Sequence, residues 1–259
     1  MNEKVSAAYM AFAGELAERA GAIIRRHFRQ KIAIEQKSDQ TPVTIADREA
    51  EKAMREMIEQ RYPEHGIWGE EFGKVRTDSD CIWVLDPIDG TKSFIAGVPL
   101  FGTLIALAYK GKPVLGIIDQ PISRERWVGA EGHVTLMNGR PVKTRACPAL
   151  SEATLYATSP DMFEGADEAP FQRLQSAVKL SRFGADCYAY GLVAAGFIDL
   201  VVECGLKTYD FCALAPVVAG AGGVMTDWQG KALTLQSDGR VLACGDARLA
   251  NLARAKLAK

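Results

Sequence analysis

Trp83-Val84-Leu85-Asp86-Pro87-Ile88-Asp89-Gly90-Thr91 is the stretch that decides how the chain is read. Ile82 to Leu85 is apolar throughout and bounded by polar residues, which predicts a short buried strand. Pro87 removes a backbone donor and drives Asp86 out of helical geometry, so the strand is expected to break there. Two carboxylates three residues apart on such a break can converge on one point. Gly90 lets the backbone approach whatever sits there, and Thr91-Lys92-Ser93 reads as the first turn of a helix. A helix start offers unpaired N–H groups and partial positive charge, which suits a phosphate. Carboxylates for a hard cation, beside donors for an anion, point to metal-assisted phosphate chemistry.

The 259 residues can bury a full core, in one large domain or two closely packed ones. With 31 basic and 32 acidic residues, charge gives no case for a nucleic-acid or membrane partner. The first residues lack a signal-peptide pattern, and no apolar run approaches the ~18 residues needed to span a bilayer. Cys81, Cys147, Cys187, Cys204, Cys212 and Cys244 form no Cys-x-x-Cys pair. That fits reduced thiols and a cytoplasmic location better than a disulfide framework or a zinc site. His27, His65 and His133 are far apart, so the chemistry is expected to run on carboxylates.

Apolar spacing predicts helices over 5–29 and 43–61, with a short strand at 32–36 and a polar loop at 37–40 between them. His27 falls in the last basic turn of the first helix, a helix-end charge role. Thr44-x-x-Asp47 reads either as a capping box or as a carboxylate aimed at the Asp86 loop, and the sequence leaves both open. A strand from Gly66 opens into Glu70-Glu71 between glycines, an exposed and flexible loop whose acids are ordinarily solvated. Only the acidic loop that follows gives them a functional reading. Residues 101–109 and 113–119 predict a hairpin around Lys110-Gly111-Lys112, continued by strands at 125–129 and 132–137. From Arg145 onward, strands (153–158, 180–183, 197–203, 223–226, 241–244) alternate with helices (169–178, 187–195, 211–220 and a closing helix to Leu257). Such alternation implies a mostly parallel sheet with helices on its faces. The expected organisation is an N-terminal α+β half (1–145) and a C-terminal α/β half (146–259) sharing one cleft.

Glu70, Asp86 and Asp89 form an all-oxygen ligand set, which suits magnesium and argues against zinc. Asp210 adds a fourth acid, with an N-cap of the helix after it as the plainer alternative. Such a set could hold two divalent cations that orient a phosphate ester and activate a water. Other phosphate machinery is absent. There is no G-x-x-x-x-G-K-[ST] loop and no G-x-S-x-G elbow. Gly220-Ala221-Gly222-Gly223 is not a dinucleotide fingerprint. The Asp-x-x-Asp-Gly-Thr spacing is one residue longer than that of haloacid-dehalogenase phosphatases.

Gly69-Glu70-Glu71, Asp86-Pro87-Ile88-Asp89-Gly90-Thr91, and Tyr209-Asp210 with Ala221-Gly222-Gly223 downstream resemble the inositol monophosphatase superfamily, in order and across residues 37–223. The resemblance implies an α/β fold of αβαβα layers and a magnesium-dependent, often lithium-sensitive phosphatase with two or three ions. It implies that Glu70, Asp86 and the Ile88 carbonyl bind one magnesium, and Asp86, Asp89 and Asp210 a second. Thr91, held by Asp47, and Glu70 would position the attacking water. The Gly90 and Thr91 amides would bind the phosphate, with no phosphoenzyme.

Within the superfamily, Lys92-Ser93 is similar to the histidinol-phosphatase branch and to 3′-phosphoadenosine nucleotidases. The stretches 101–107, 116–121, Glu125-Arg126-Trp127 and 182–190 are similar to histidinol-phosphate phosphatases. The implied substrate loop is Gly184-Ala185-Asp186, with Asp89, Glu203 and Asp210 beside it. Asp186 and Glu203 are expected at the rim, pairing with the amine of histidinol phosphate; their plainer readings are a helix N-cap and a solvated strand end. Tyr188, Tyr190 and Trp127 could stack on an imidazole, or lie in the core. The expectation is a histidinol-phosphate phosphatase of histidine biosynthesis, with a small phosphate ester as partner, no membrane, and a homodimer compatible with the sequence. The alternatives are a broader inositol-1-phosphate or 3′-phosphoadenosine 5′-phosphate phosphatase, or a non-enzymatic regulator binding RNA or a polymerase.

Overall fold

The computed structural model describes residues 5–31, 33–36 and 42–258, so Ile32 and the 37–40 loop lie outside it. Helices α1 (Ala7–His27) and α2 (Ile45–Arg61) form the first layer. Ser6 caps α1, and its stripe of Phe12, Leu16, Ala20 and Ile24 packs with Trp83, Leu85, Ile105 and Ile117 of the sheet beneath. At its far end His27 Nε2 lies 3.0 Å from Glu49 Oε2 of α2, the helix-end role expected of it. Between the helices, β1 (Ile34–Gln36) pairs with β2 (Pro42–Thr44), so α2 starts two residues later than its apolar pattern predicts.

The second layer is an eight-stranded sheet. Its strands are β3 (Gly66–Gly69), β4 (Gly73–Val75), β5 (Cys81–Asp89), β6 (Gly102–Tyr109), β7 (Lys112–Gln120), β8 (Glu125–Ala130), β9 (Leu136–Met137) and β10 (Arg140–Pro141). They lie in the order β10-β9-β8-β7-β6-β5-β3-β4, antiparallel except where β3 meets β5. A short helix, α3 (Thr91–Ile95), follows β5. The strand expected at 132–137 shrinks to two residues because Thr135 is bonded elsewhere: its N–H donates to Gly220 O (3.0 Å) and its hydroxyl to Val217 O (2.7 Å).

Past the seam at Arg145 come β11 (Thr154–Ala157), α4 (Glu168–Gln175), β12 (Leu180–Phe183), α5 (Tyr188–Ala194) and β13 (Leu200–Glu203). Then follow α6 (Thr208–Phe211), α7 (Leu214–Gly220), β14 (Val224–Thr226), β15 (Val241–Cys244) and α8 (Ala247–Leu257). The small sheet runs β12-β11-β13-β15-β14, with β15 alone opposed to the rest. Helices α5, α6 and α7 fill the space between the sheets, and α4 and α8 cover the outer face, which completes the αβαβα sandwich. The single helix expected over 211–220 is two, because Pro216 has no N–H to give the Cys212 carbonyl. All six cysteines are free thiols, and among the described residues no helix is long and apolar enough to cross a membrane.

One ion pair fastens the seam. Arg145 forks onto Asp199 through Nε (2.7 Å) and Nη2 (2.6 Å), and the Thr154 N–H donates to the same carboxylate at 2.7 Å. Burial alone would raise the Asp199 carboxyl, but the guanidinium and the N–H outweigh it and hold the pKa below the usual range. A depressed carboxylate contributes stability above its unfolded pKa, and that contribution is lost as pH falls through the folded value. Asp199→Asn is therefore expected to cost about 2–3 kcal/mol at pH 7, with the gap to the parent closing below about pH 4. Urea unfolding of both proteins at pH 7 and pH 3 measures it; a gap that does not shrink in acid removes the ionic explanation.

Candidate active site

Side chains alternate along a strand, so residues three apart should face opposite ways. On β5 they do not. Asp86 sits opposite Leu104 and Asp89 opposite Gly102, so β5 carries one extra residue there. That bulge turns Asp86 and Asp89 to the same side. Trp83 and Leu85 face α1 and α2, whereas Ile82 and Val84 face the middle layer, and Asp86 follows the latter. The break expected at Pro87 is thus a bulge within a continuing strand. Thr103 Oγ donates to the Pro87 carbonyl at 2.8 Å, and the Ile88 N–H to Asp86 Oδ1 at 3.1 Å.

Helix α6 brings in the third acid from above. Carboxylate oxygens of Asp86, Asp89 and Asp210 lie within 4.8 Å of one another. Asp210 does not cap α7; its Oδ2 accepts the Lys207 N–H at 2.6 Å, at the start of α6. Burial, then the charges of Glu70, Asp89 and Asp210, push the Asp86 carboxyl well up. Burial, then Asp186 and Asp210, do the same to Asp89, and burial with Glu70 and Glu203 overrides the Lys207 N–H to bring Asp210 to about 7. Crowded, buried, mutually repelling oxygens without a nitrogen or sulfur donor fit a hard divalent cation, which would relieve every one of these strains.

Glu70 is presented by a tight turn, and the exposed, flexible loop expected there is not found. Its N–H donates to Leu85 O at 3.1 Å, and the turn rests on Glu51, a fully buried carboxylate of α2. Glu51 accepts the Glu71 N–H (2.7 Å), the Phe72 N–H (3.1 Å) and Arg55 Nε (2.7 Å). A Cβ at Gly69 would stand 1.9 Å from Glu51 Oε1, so only glycine admits this contact. Sequence reading missed Glu51, although its place one turn after Asp47 on the buried face of α2 was the available signal. Glu51→Ala strands Arg55 and two amides, with an expected loss of about 3–5 kcal/mol. Chemical denaturation measures this, and a loss under about 1 kcal/mol would mean that the turn stands without it.

Both readings of Asp47 have a physical counterpart. Its Oδ2 accepts the Thr44 N–H (2.8 Å) and hydroxyl (2.6 Å) in a capping box, while its buried Oδ1 has no partner among the described residues. Burial, opposed by Thr44 and reinforced by the charge of Glu70, lifts its pKa to about 6. The expected hold of Asp47 on Thr91 is not formed, because the Thr91 hydroxyl donates to Ile88 O at 3.1 Å instead. Gly90 begins α3 at φ +88°, and a Cβ there would come within 2.6 Å of Asp186 Oδ2.

Gly184, Ala185 and Asp186 take φ of +78°, +124° and +46°, a run that costs about 1–3 kcal/mol at each non-glycine position. It is clipped at both sides. Ser93 Oγ donates to Asp186 Oδ2 at 2.7 Å, and the Cys187 N–H to Asp89 Oδ2 at 2.6 Å. Asp186 is therefore no helix cap. Glu203 is not at the rim either: it is 3% exposed, accepts the Thr158 N–H (2.7 Å) and the Tyr190 hydroxyl (2.8 Å), and burial lifts it to about 6. A cavity of about 90 Å³ lies between these acids, lined by Asp89, Asp186, Glu203 and Asp210 and by no basic side chain. Trp127 is fully buried, Tyr190 lines the cavity with its hydroxyl held by Glu203, and the Tyr188 hydroxyl is tied to Glu125 at 2.7 Å, so Trp127 takes its plainer reading as a core ring.

Comparison with known proteins matches residues 6–258 to the inositol monophosphatase family. The chain is 53% identical over 237 residues to the bifunctional phosphatase IMPL2, chloroplastic, of Arabidopsis thaliana, covering 91% of this chain and 68% of that one. It is 37% identical over 231 residues to a histidinol-phosphatase of Chlorobaculum parvum, covering 88% and 89%. The solved structure of an inositol monophosphatase from Zymomonas mobilis, 49% identical, superposes with a TM-score of 0.91 over 98% of this chain and 100% of that one. A match over nearly the whole length, on a five-layer sandwich whose middle gathers buried carboxylates, makes this chain a member of the inositol monophosphatase family.

Proposed function

We propose that this family phosphatase uses magnesium to hydrolyse L-histidinol phosphate to L-histidinol and phosphate, within histidine biosynthesis in the cytoplasm. The acid-lined cavity without a basic side chain carries the reading. Histidinol phosphate has one phosphate for the acidic cluster and a cationic amine for Asp186 and Glu203. A bisphosphate nucleotide would bring its second phosphate against carboxylates. Inositol 1-phosphate would leave them with no positive charge to meet. The histidinol-phosphatase relative agrees with this choice.

Glu70, Asp86 and the Ile88 carbonyl would hold one ion, and Asp86, Asp89 and Asp210 another, with lithium sensitivity as a consequence. Bound magnesium would supply charge for the phosphate oxygens and acidify a water. The Gly90 and Thr91 amides would receive the phosphate. Thr91 and Glu70 would orient the water, with Asp47 fixing the start of α2 beside them.

A panel of histidinol phosphate, inositol 1-phosphate and 3′-phosphoadenosine 5′-phosphate with magnesium is the test. Histidinol phosphate is expected to lead in kcat/KM by about tenfold or more, since an amine–carboxylate hydrogen bond is worth ~1.5–3 kcal/mol. Asp186→Ala should raise its KM far more than that of an amine-free ester. Equal effects on the two would remove the amine contact.

A further inference from the structure

We propose that a second small-molecule site lies on the face of the large sheet opposite the acidic cluster, and that it takes a zwitterion of the α-amino-acid class. A cavity of about 430 Å³ opens between α1, the end of β7, the turn after it and β8. Along β7, Ile117 packs toward α1 and Ile118 toward the middle layer, so Asp119 faces α1 again. The sheet therefore separates this cavity from Asp86 and Asp89.

Its floor is a half-used carboxylate. Asp119 is 3% exposed; Oδ1 receives Arg126 Nε at 2.6 Å, while Oδ2 has no partner among the described residues. A buried oxygen of this kind costs stability until a donor reaches it. Arg126 reaches only the other oxygen, and its Nη2 is engaged by Glu18 at 2.9 Å. At the mouth stand Arg25 and Arg124, both exposed, and among the described residues neither guanidinium forms an ion pair. Floor and mouth come close at Gly21. A Cβ there would be crowded, 3.2 Å from Arg25 Nη1, 3.2 Å from Pro121 Cβ and 3.3 Å from Asp119 Oδ2, so the two charges border one spot and a small molecule in the cavity in front of it can touch both.

The arrangement selects against simple ions. A lone anion at the arginines leaves Asp119 Oδ2 unpaired and adds a like charge beside it. A lone cation on Asp119 faces two unpaired guanidinium groups. A molecule with an ammonium and a carboxylate on adjacent carbons places the ammonium inward on Asp119 and the carboxylate outward on Arg25 and Arg124, which are charge-assisted bonds on both sides.

The test is calorimetric titration of the full chain with each of the twenty standard L-amino acids, with acetate and ethylammonium as single-charge probes. At least one amino acid is expected to bind more tightly than both probes. Arg25→Ala, on an exposed side chain that forms no ion pair among the described residues, should weaken that binding about tenfold and leave phosphatase turnover unchanged. Asp119→Asn should weaken it as well. The proposal is overturned if no amino acid binds, if Arg25→Ala binds as tightly as the parent, or if acetate binds as well as the best amino acid.

Discussion

Asp89→Asn is expected to lower kcat/KM by about a thousandfold, ~4 kcal/mol of transition-state stabilisation, while making the metal-free protein more stable. The two effects have one cause. The bulge holds Asp89 beside Asp86, Asp210 comes within 4.8 Å of both, and the Lys207 N–H and charge only partly offset the repulsion among the three. Asparagine keeps the shape and an oxygen for the Cys187 N–H, which now donates to Asp89 Oδ2, but it removes one of the repelling charges. Without metal, that relief favours the folded state. With magnesium, a ligand is gone, so the rise in melting temperature that the ion gives the parent should largely vanish. Turnover with and without chelator, together with melting curves, separates these outcomes. Near-normal turnover would remove Asp89 from the metal site, and a less stable metal-free variant would show that the cluster is not strained.

Gly116→Ala should damage the fold rather than the chemistry. Gly116 lies in β7 under α7, and a Cβ there would stand 1.9 Å from the Ala213 carbonyl oxygen, a backbone atom that cannot rotate away. Gly129 on β8 meets Val217 Cα in the same manner, at 2.4 Å. These two glycines let the middle helices sit directly on the large sheet, which sets the height at which α6 delivers Asp210. The expected cost is about 3 kcal/mol, at the upper end for overpacking, or a fall in melting temperature of about 6–12 °C. Gly14→Ala is the contrast. Its position in α1 has nothing within 4 Å of an added Cβ, so alanine should gain up to about 1 kcal/mol through helix propensity. Equal effects at the two sites would contradict the close packing.

The layer order and the acids of the site were legible because they rest on local pattern. Helical spacing marks α1, the hairpin turn marks β6 and β7, and Asp86-Pro87-Ile88-Asp89-Gly90-Thr91 places two carboxylates on one short segment. What could not be read depends on partners distant in sequence. The bulge in β5 exists only against β6, since a lone strand has no register. Glu203 looked like a strand end at the rim, but Thr158 and Tyr190, 45 and 13 residues away, draw it inside. Glu51 and Trp127 are cases of the same kind, one a buried acid beneath a turn and the other a ring closed off by Tyr188. In each, at least one of the side chain's neighbours comes from another element.

Asp210 arrives late. The other two members of the acidic trio can be set once β6 has been made to pair with β5, yet the third is made about a hundred residues afterwards. Until then the nascent protein holds only two of the three clustered carboxylates, so their full mutual repulsion is among the last burdens that maturation takes on.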